Sequence, residues 1–138
     1  MRLNNSTFGK AGEEAVASYL KKRLWHVIAQ NYKTNGGELD IVAYRFGVLA
    51  FVEVKTRSSD SFGAPADAVT AEKKKRIRKA SYGFAYEQMR RNSVPVWCII
   101  KQDHVLRRVR KKRFDVAEVY MDREMKEKRI NYIKNFFE

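Results

Sequence analysis

Asp40, Glu53 and Lys55 stand in runs of apolar, β-branched residues within GELDIVAYRFGVLAFVEVKTR, residues 37 to 57. An ionised side chain costs of the order of several kcal/mol to bury unless something pairs with it. Strand alternation places Leu49, Phe51, Glu53, Lys55 and Arg57 on one face, and Val48, Ala50, Val52 and Val54 on the other. Glu38, Asp40 and Val42 share a face of the preceding strand. A short hairpin brings Asp40 near Glu53, and two adjacent carboxylates repel unless a cation joins them. A divalent metal, Mg2+ or Mn2+, resolves the conflict by taking oxygens from Asp40, Glu53 and the Val54 backbone carbonyl, with water completing its shell. Lys55 then lies beside the metal, placed to hold a water or a phosphate oxygen. Such a set suits phosphodiester hydrolysis, in which a metal activates water and a lysine adds positive charge where negative charge develops. Glu38 is open to three readings: a ligand, an outer partner or a turn residue.

The elements around this set follow from periodicity. Residues 6 to 24 predict a helix capped by Ser6 or Thr7, with Phe8, Ala11, Ala15 and Tyr19 at helical spacing. Glu13 lies at the edge of its packed face, whereas Glu14 has Lys10 and Ser18 four residues away. Glu13 is therefore the better placed of the two for a role near the core. Three strands follow, at 25 to 32, 38 to 45 and 48 to 57, with turns at 34 to 37 and at Phe46-Gly47. SSDSFGAPA (58 to 66) is a loop, with Phe62 read as its anchor. A helix is expected from about 67 to 90, a buried strand at 94 to 101, short strands at 105 to 107 and 114 to 120, and a last helix over 127 to 137. The order predicts an α/β fold, a single domain over 1 to 138, with a mixed sheet flanked by helices.

Composition narrows the partner. Lys and Arg number 29 against 16 acids, a net charge of +13. That balance points to a polyanion. Two clusters, KKKRIRK and RRVRKKR, hold 12 of the 29. Their members Lys73, Lys74, Lys75, Arg76, Arg78 and Lys79, and Arg107, Arg108, Arg110, Lys111, Lys112 and Arg113, together with Arg57, are candidate nucleic-acid contacts. Neither cluster lies on a strongly apolar amphipathic helix, so no membrane partner is expected. Trp25, Trp97, Tyr82 and Tyr86 are expected in the core or at its boundary, and His26 and His104 near the surface. The single cysteine, Cys98, and the two histidines do not supply a zinc site. The polar N-terminal MRLNNSTFGK, without a signal-like apolar run, makes the cytoplasm the expected compartment.

The blocks Gly9-x-x-Gly12-Glu13, Gly37-Glu38-Leu39-Asp40, Phe51-Val52-Glu53-Val54-Lys55-Thr56-Arg57, Phe62-Gly63 and Arg113-Phe114-Asp115-Val116 resemble the bacterial YraN-type family of nuclease-like proteins. That family lies within the PD-(D/E)xK, restriction-endonuclease-like superfamily and is similar to archaeal Holliday-junction resolvases. The resemblance implies an αβββαβ core, metal ligation by Asp40 and Glu53, a catalytic Lys55 and Glu13 as an auxiliary acid near the metal. It implies a metal-dependent endonuclease acting on DNA, favoured over RNA, with branched or otherwise structured DNA as a substrate class. Because branched substrates need two cuts, it also implies a homodimer. No proline precedes Asp40, where the superfamily name would place one. The rival expectation is a non-catalytic nucleic-acid-binding protein that keeps this fold.

Overall fold

A computed structural model describes residues 4–58, 69–122, 124 and 128–138. The loop at 58 to 66, with Phe62, lies outside the described residues apart from Ser58. Helix α1 (Asn5–Lys22) begins one residue before the expected start and ends two before the expected end. Asn4, not Ser6 or Thr7, is the cap, and its side chain accepts from the Thr7 N–H at 2.8 Å. Lys21 and Lys22 in the last turn complement the helix dipole. Strands β1 (His26–Thr34), β2 (Gly37–Arg45) and β3 (Val48–Ser58) then form an antiparallel meander. Phe46 and Gly47 both take positive φ, 47° and 86°, the backbone of a tight two-residue hairpin turn.

Helix α2 (Ala71–Gln88) is capped by Thr70, whose hydroxyl accepts from the Lys73 N–H. It is followed by β4 (Ser93–Cys98), β5 (Asp103–Arg108), β6 (Lys111–Met121) and β7 (Lys128–Phe137). The main sheet has the order β1-β2-β3-β6-β7, with β3 and β6 parallel and its other pairs antiparallel. The expected mixed sheet flanked by helices is present. α1 covers one face with Phe8, Val16 and Leu20 against Ile41, Ala50 and Val52. α2 covers the other, with Ile77 and Phe84 against Leu49, Phe51 and Val116. Among the described residues no helix is long and apolar enough to cross a membrane.

Two elements differ from the sequence expectation. Residues 94 to 101 are not a buried strand of the main sheet. β4 pairs with β5 in a separate two-stranded hairpin. Val94 and Val96 are buried, while Trp97, Ile99 and Ile100 face out. The closing strand of the αβββαβ core is β6 instead, reached from β3 by a crossover through α2. The second difference is β7, a strand where helical spacing predicted a helix. Ile130, Ile133 and Phe137 do not line one face. Ile130 packs on the α1 side, and Ile133 and Phe137 on the α2 side. Ordinary strand alternation separates Ile130 from Ile133, and the register irregularity between Phe114 and Val116, near Asn135 at φ 55°, leaves Ile133 and Phe137 on the same side. Apolar residues on both faces of a strand can imitate a three-and-four spacing.

Candidate metal and nucleic-acid site

The β2–β3 ladder ends at Ile41↔Val52, although β2 begins at Gly37 and β3 runs on to Ser58. Continuing that register puts Asp40 opposite Glu53, where the strands part. Asp40 Oδ2 accepts from the Val54 N–H at 2.9 Å, in place of the next ladder bond. A residue's N–H and C=O point to the same side of a strand. The Val54 carbonyl therefore shares the Asp40 side, beyond the end of the ladder. Glu53 is 5% exposed, and its Oε1 is 3.2 Å from the Lys73 ammonium of α2.

Burial, and next the adjacent Asp40 carboxylate, push the Glu53 carboxyl up from its ordinary 4.5 to about 7, against the pull of Lys73. Glu13 is also raised, first by burial and then by Asp40, while a hydrogen bond from Asn31 pulls the other way. Glu38, which is exposed, adds repulsion there. Three separate elements thus bring Glu13, Asp40 and Glu53 into one electrostatic field. Glu13 gets there because α1 sits hard against β3. A Cβ on Gly12 would lie 1.9 Å from the Thr56 hydroxyl oxygen, so only glycine permits that approach.

The donor set fits a small hard cation. Among the described residues no three His, Cys, Asp or Glu side chains converge to hold a metal by themselves. Asp40, Glu53 and the Val54 carbonyl would hold it, with water filling the remaining positions, as suits Mg2+ or Mn2+. The Lys73 ammonium already places positive charge on Glu53. Lys55 is half-buried two residues along β3, and its register partner on β6 is Glu118. Glu118 is fully buried; it accepts from Arg57 Nε and Asn131 Nδ2, both at 3.1 Å.

A pH dependence of stability follows from Glu53. Between about pH 4.5 and 7 the folded chain keeps a proton that the unfolded chain has lost, so stability falls as pH rises through that window. Glu53→Gln removes the penalty. It is expected to stabilise the metal-free protein above pH 7 by about 1–3 kcal/mol, and not at all below pH 4.5. Urea unfolding of both proteins across that range measures it. A loss of stability above pH 7 would mean that Glu53 is better ionised than its burial implies.

The two basic clusters part company. The first lies on α2 and reaches the carboxylates through Lys73. Within it Arg76 pairs with Glu72 at 2.7 Å, Lys74 lies over the Phe136 and Phe137 rings, and Arg78 covers the Phe137 ring. The second lies at the other end of the sheet, since Lys111 pairs with Val48, five residues before Glu53 along β3. At about 3.3 Å per residue that is about 17 Å away. Arg107, Arg108, Lys111 and Lys112 are exposed there, and Arg110 donates to the Phe46 carbonyl. Arg113 turns inward to a two-pronged ion pair with the buried Asp115. Arg57 is likewise engaged with Glu118.

Several placements were absent from the sequence reading. Asn31, which steadies Glu13, sits in the left-handed region at φ 51°, a conformation asparagine tolerates. Nothing in its sequence context marks it. Asp115 and Glu118, by contrast, interrupt an apolar strand just as Asp40 and Glu53 do. Trp25 is buried as expected, but Tyr82, Tyr86 and Trp97 are exposed, against the expectation of core or boundary positions.

A sequence profile described as uncharacterised protein family UPF0102 matches residues 12–119. A UPF0102 protein of Alkaliphilus metalliredigens is 40% identical over 134 residues, covering 96% of this chain and 99% of the relative. Another, from Caldicellulosiruptor saccharolyticus, is 34% identical over 135 residues, with 98% and 100% covered. A third, from Geobacter metallireducens, is 32% identical over 138 residues, with 100% and 98% covered.

Proposed function

The chain belongs to the uncharacterised protein family UPF0102, the YraN family, and on that premise we propose that it is a metal-dependent endonuclease hydrolysing phosphodiester bonds in DNA, including branched or otherwise structured DNA. The observation that carries this reading is the buried Glu53 carboxyl, set beside Asp40 where the β2–β3 ladder opens. A fold gains nothing from two abutting carboxylates; a site that must bind a cation does. Hydrolysis joins a water oxygen to phosphorus, breaks one P–O ester bond and returns a proton to the leaving sugar oxygen. A bound Mg2+ or Mn2+ would supply a more acidic water and neutralise charge on the phosphoryl oxygens. Asp40 and Glu53 hold the charge that draws the cation in. Lys55 orients the attacking water or a phosphate oxygen. Glu13, braced by Asn31, supports the water shell. The exposed lysines of α2 hold the flanking phosphates, so binding weakens steeply as salt rises.

One observation favours a second reading. The Lys73–Glu53 ion pair already supplies a cation to the buried carboxyl, as a non-catalytic nucleic-acid-binding protein of this fold would require. The two separate in a cleavage assay on labelled single-stranded, duplex, flapped and four-way DNA and on RNA, with Mn2+, Mg2+ or EDTA. Cutting that requires the metal, strongest on the structured DNAs, is expected. Tight, salt-sensitive binding without cutting in any lane would favour the binding protein.

A further inference from the structure

We propose that the outer face of α2 is a track for an unpaired nucleic-acid strand, on which Tyr82 and Tyr86 stack bases while Lys75 and Lys79 hold phosphates. Rising from 75 through 79 and 82 to 86, these four side chains fall on one stripe of the helix. The opposite stripe, Ile77, Ala80, Ser81 and Phe84, is the buried one. All four outer residues are exposed, Tyr82 at 71% and Tyr86 at 90%. Two large aromatic rings left in water one turn apart do not stabilise the fold. They are flat surfaces standing among cations.

The track has a floor. A groove between α2 and the β1–β2 turn is lined by Lys33, Gly36, Lys79, Gly83, Tyr86 and Glu87, among others. A Cβ on Gly83 would lie 2.8 Å from Thr34 Cβ, and one on Gly36 only 2.6 Å from Lys79 Cγ. The turn and the helix are therefore pressed together, and the groove beside Tyr86 is floored by bare backbone. The acid in the groove, Glu87, accepts from the Tyr32 hydroxyl at 3.0 Å and is outnumbered by Lys33 and Lys79.

The chemistry of the rings favours a single strand. Tyr82 and Tyr86 are about 6 Å apart along the helix axis, so bases of one strand can reach both. Bases in a duplex already stack on one another, so only unpaired bases can use the rings. The stripe begins two residues beyond Lys73, whose ammonium touches Glu53. Lys73 itself falls on the inner line with Ile77, Ala80 and Phe84, so the track lies on another face of α2 than the carboxylates. The track is a binding site independent of the nuclease reading and is testable without cleavage.

The test is fluorescence anisotropy in EDTA with a labelled oligothymidylate of about 12 nucleotides and a blunt duplex of equal length. Tyr82→Ser with Tyr86→Ser is expected to weaken single-strand binding by about tenfold to a hundredfold and duplex binding by less than about twofold. Tyr82→Phe with Tyr86→Phe keeps the rings and is expected to bind like the parent, and all three proteins to melt alike. Unchanged single-strand affinity in the serine pair, or an equal loss on both DNAs, would overturn the proposal. So would a parental dimer that the serine pair converts to monomer with no change in single-strand binding, since a second copy would then be what the tyrosines hold. Binding is read in EDTA, without cleavage, so a failure of catalysis leaves this result interpretable on its own.

Discussion

Lys55→Ala is expected to cut DNA about a hundredfold to a thousandfold more slowly than the parent while binding it within about twofold. The magnitude is that of removing one preorganised positive group from a centre where negative charge develops. Lys55 is held on a central strand, two residues from Glu53 and on the same face, with β6 alongside through the Glu118 register. Its position is thus fixed before substrate arrives. Lys55→Arg keeps the charge but replaces a compact ammonium with a broad planar fork, and is expected to recover only a small part of the rate. Single-turnover cleavage at saturating Mn2+, with anisotropy for binding, separates the two quantities. A fall in affinity that accounts for the whole loss of rate would make Lys55 a phosphate anchor and no more.

Asp115→Ala is expected to lower stability by about 3–5 kcal/mol, a large part of what a domain this size possesses. Asp115 is fully buried on the α1 face of β6, away from the carboxylate site. Its two oxygens accept from Arg113 Nε and Nη2 at 2.9 Å each, from the Asn135 N–H at 2.8 Å and from the Tyr132 hydroxyl. Burial, and then the Asp115 charge, push the Tyr132 phenol above its ordinary range, so it stays protonated and donates. Removing the carboxylate leaves a half-buried guanidinium, a phenol and a backbone N–H without their acceptor. The Asn135 bond also pins the register irregularity between β6 and β7. Urea unfolding measures the loss, and a change below about 1 kcal/mol would mean that water replaces the carboxylate at little cost. Cleavage per folded molecule is expected to be unchanged, because the lost contacts do not reach Asp40 or Glu53.

The sequence exposed the site more clearly than it exposed the frame around it. Asp40, Glu53 and Lys55 were legible because charge inside an apolar strand is costly, and strand parity then assigned their faces. Glu13 was legible by contrast with the solvated Glu14. The end of the chain was misleading because β7 carries apolar residues on both faces, and Ile130, Ile133 and Phe137 then fall by chance at helical spacing. The 94 to 101 segment is apolar enough for a core strand. Its tip residues Ile99 and Ile100 remain in water because β4 pairs with β5 and not with the main sheet, a tertiary choice no local pattern records. Asp115 and Glu118 carry the same signal as Asp40 and Glu53, yet satisfy it internally, through Arg113 and Arg57. Charge inside a strand therefore marks a position of consequence; the partners decide whether it serves the fold or the chemistry.

The most direct test of the central claim is a calorimetric titration of Mn2+ into the parent protein and Asp40→Asn at neutral pH, without nucleic acid. Saturable binding in the parent, accompanied by release of the Glu53 proton and weakened at least about tenfold in Asp40→Asn, is the expected result. No binding, or equal binding by both proteins, would contradict it, and Asp40 and Glu53 would then be an internal ion-pair cluster completed by Lys73.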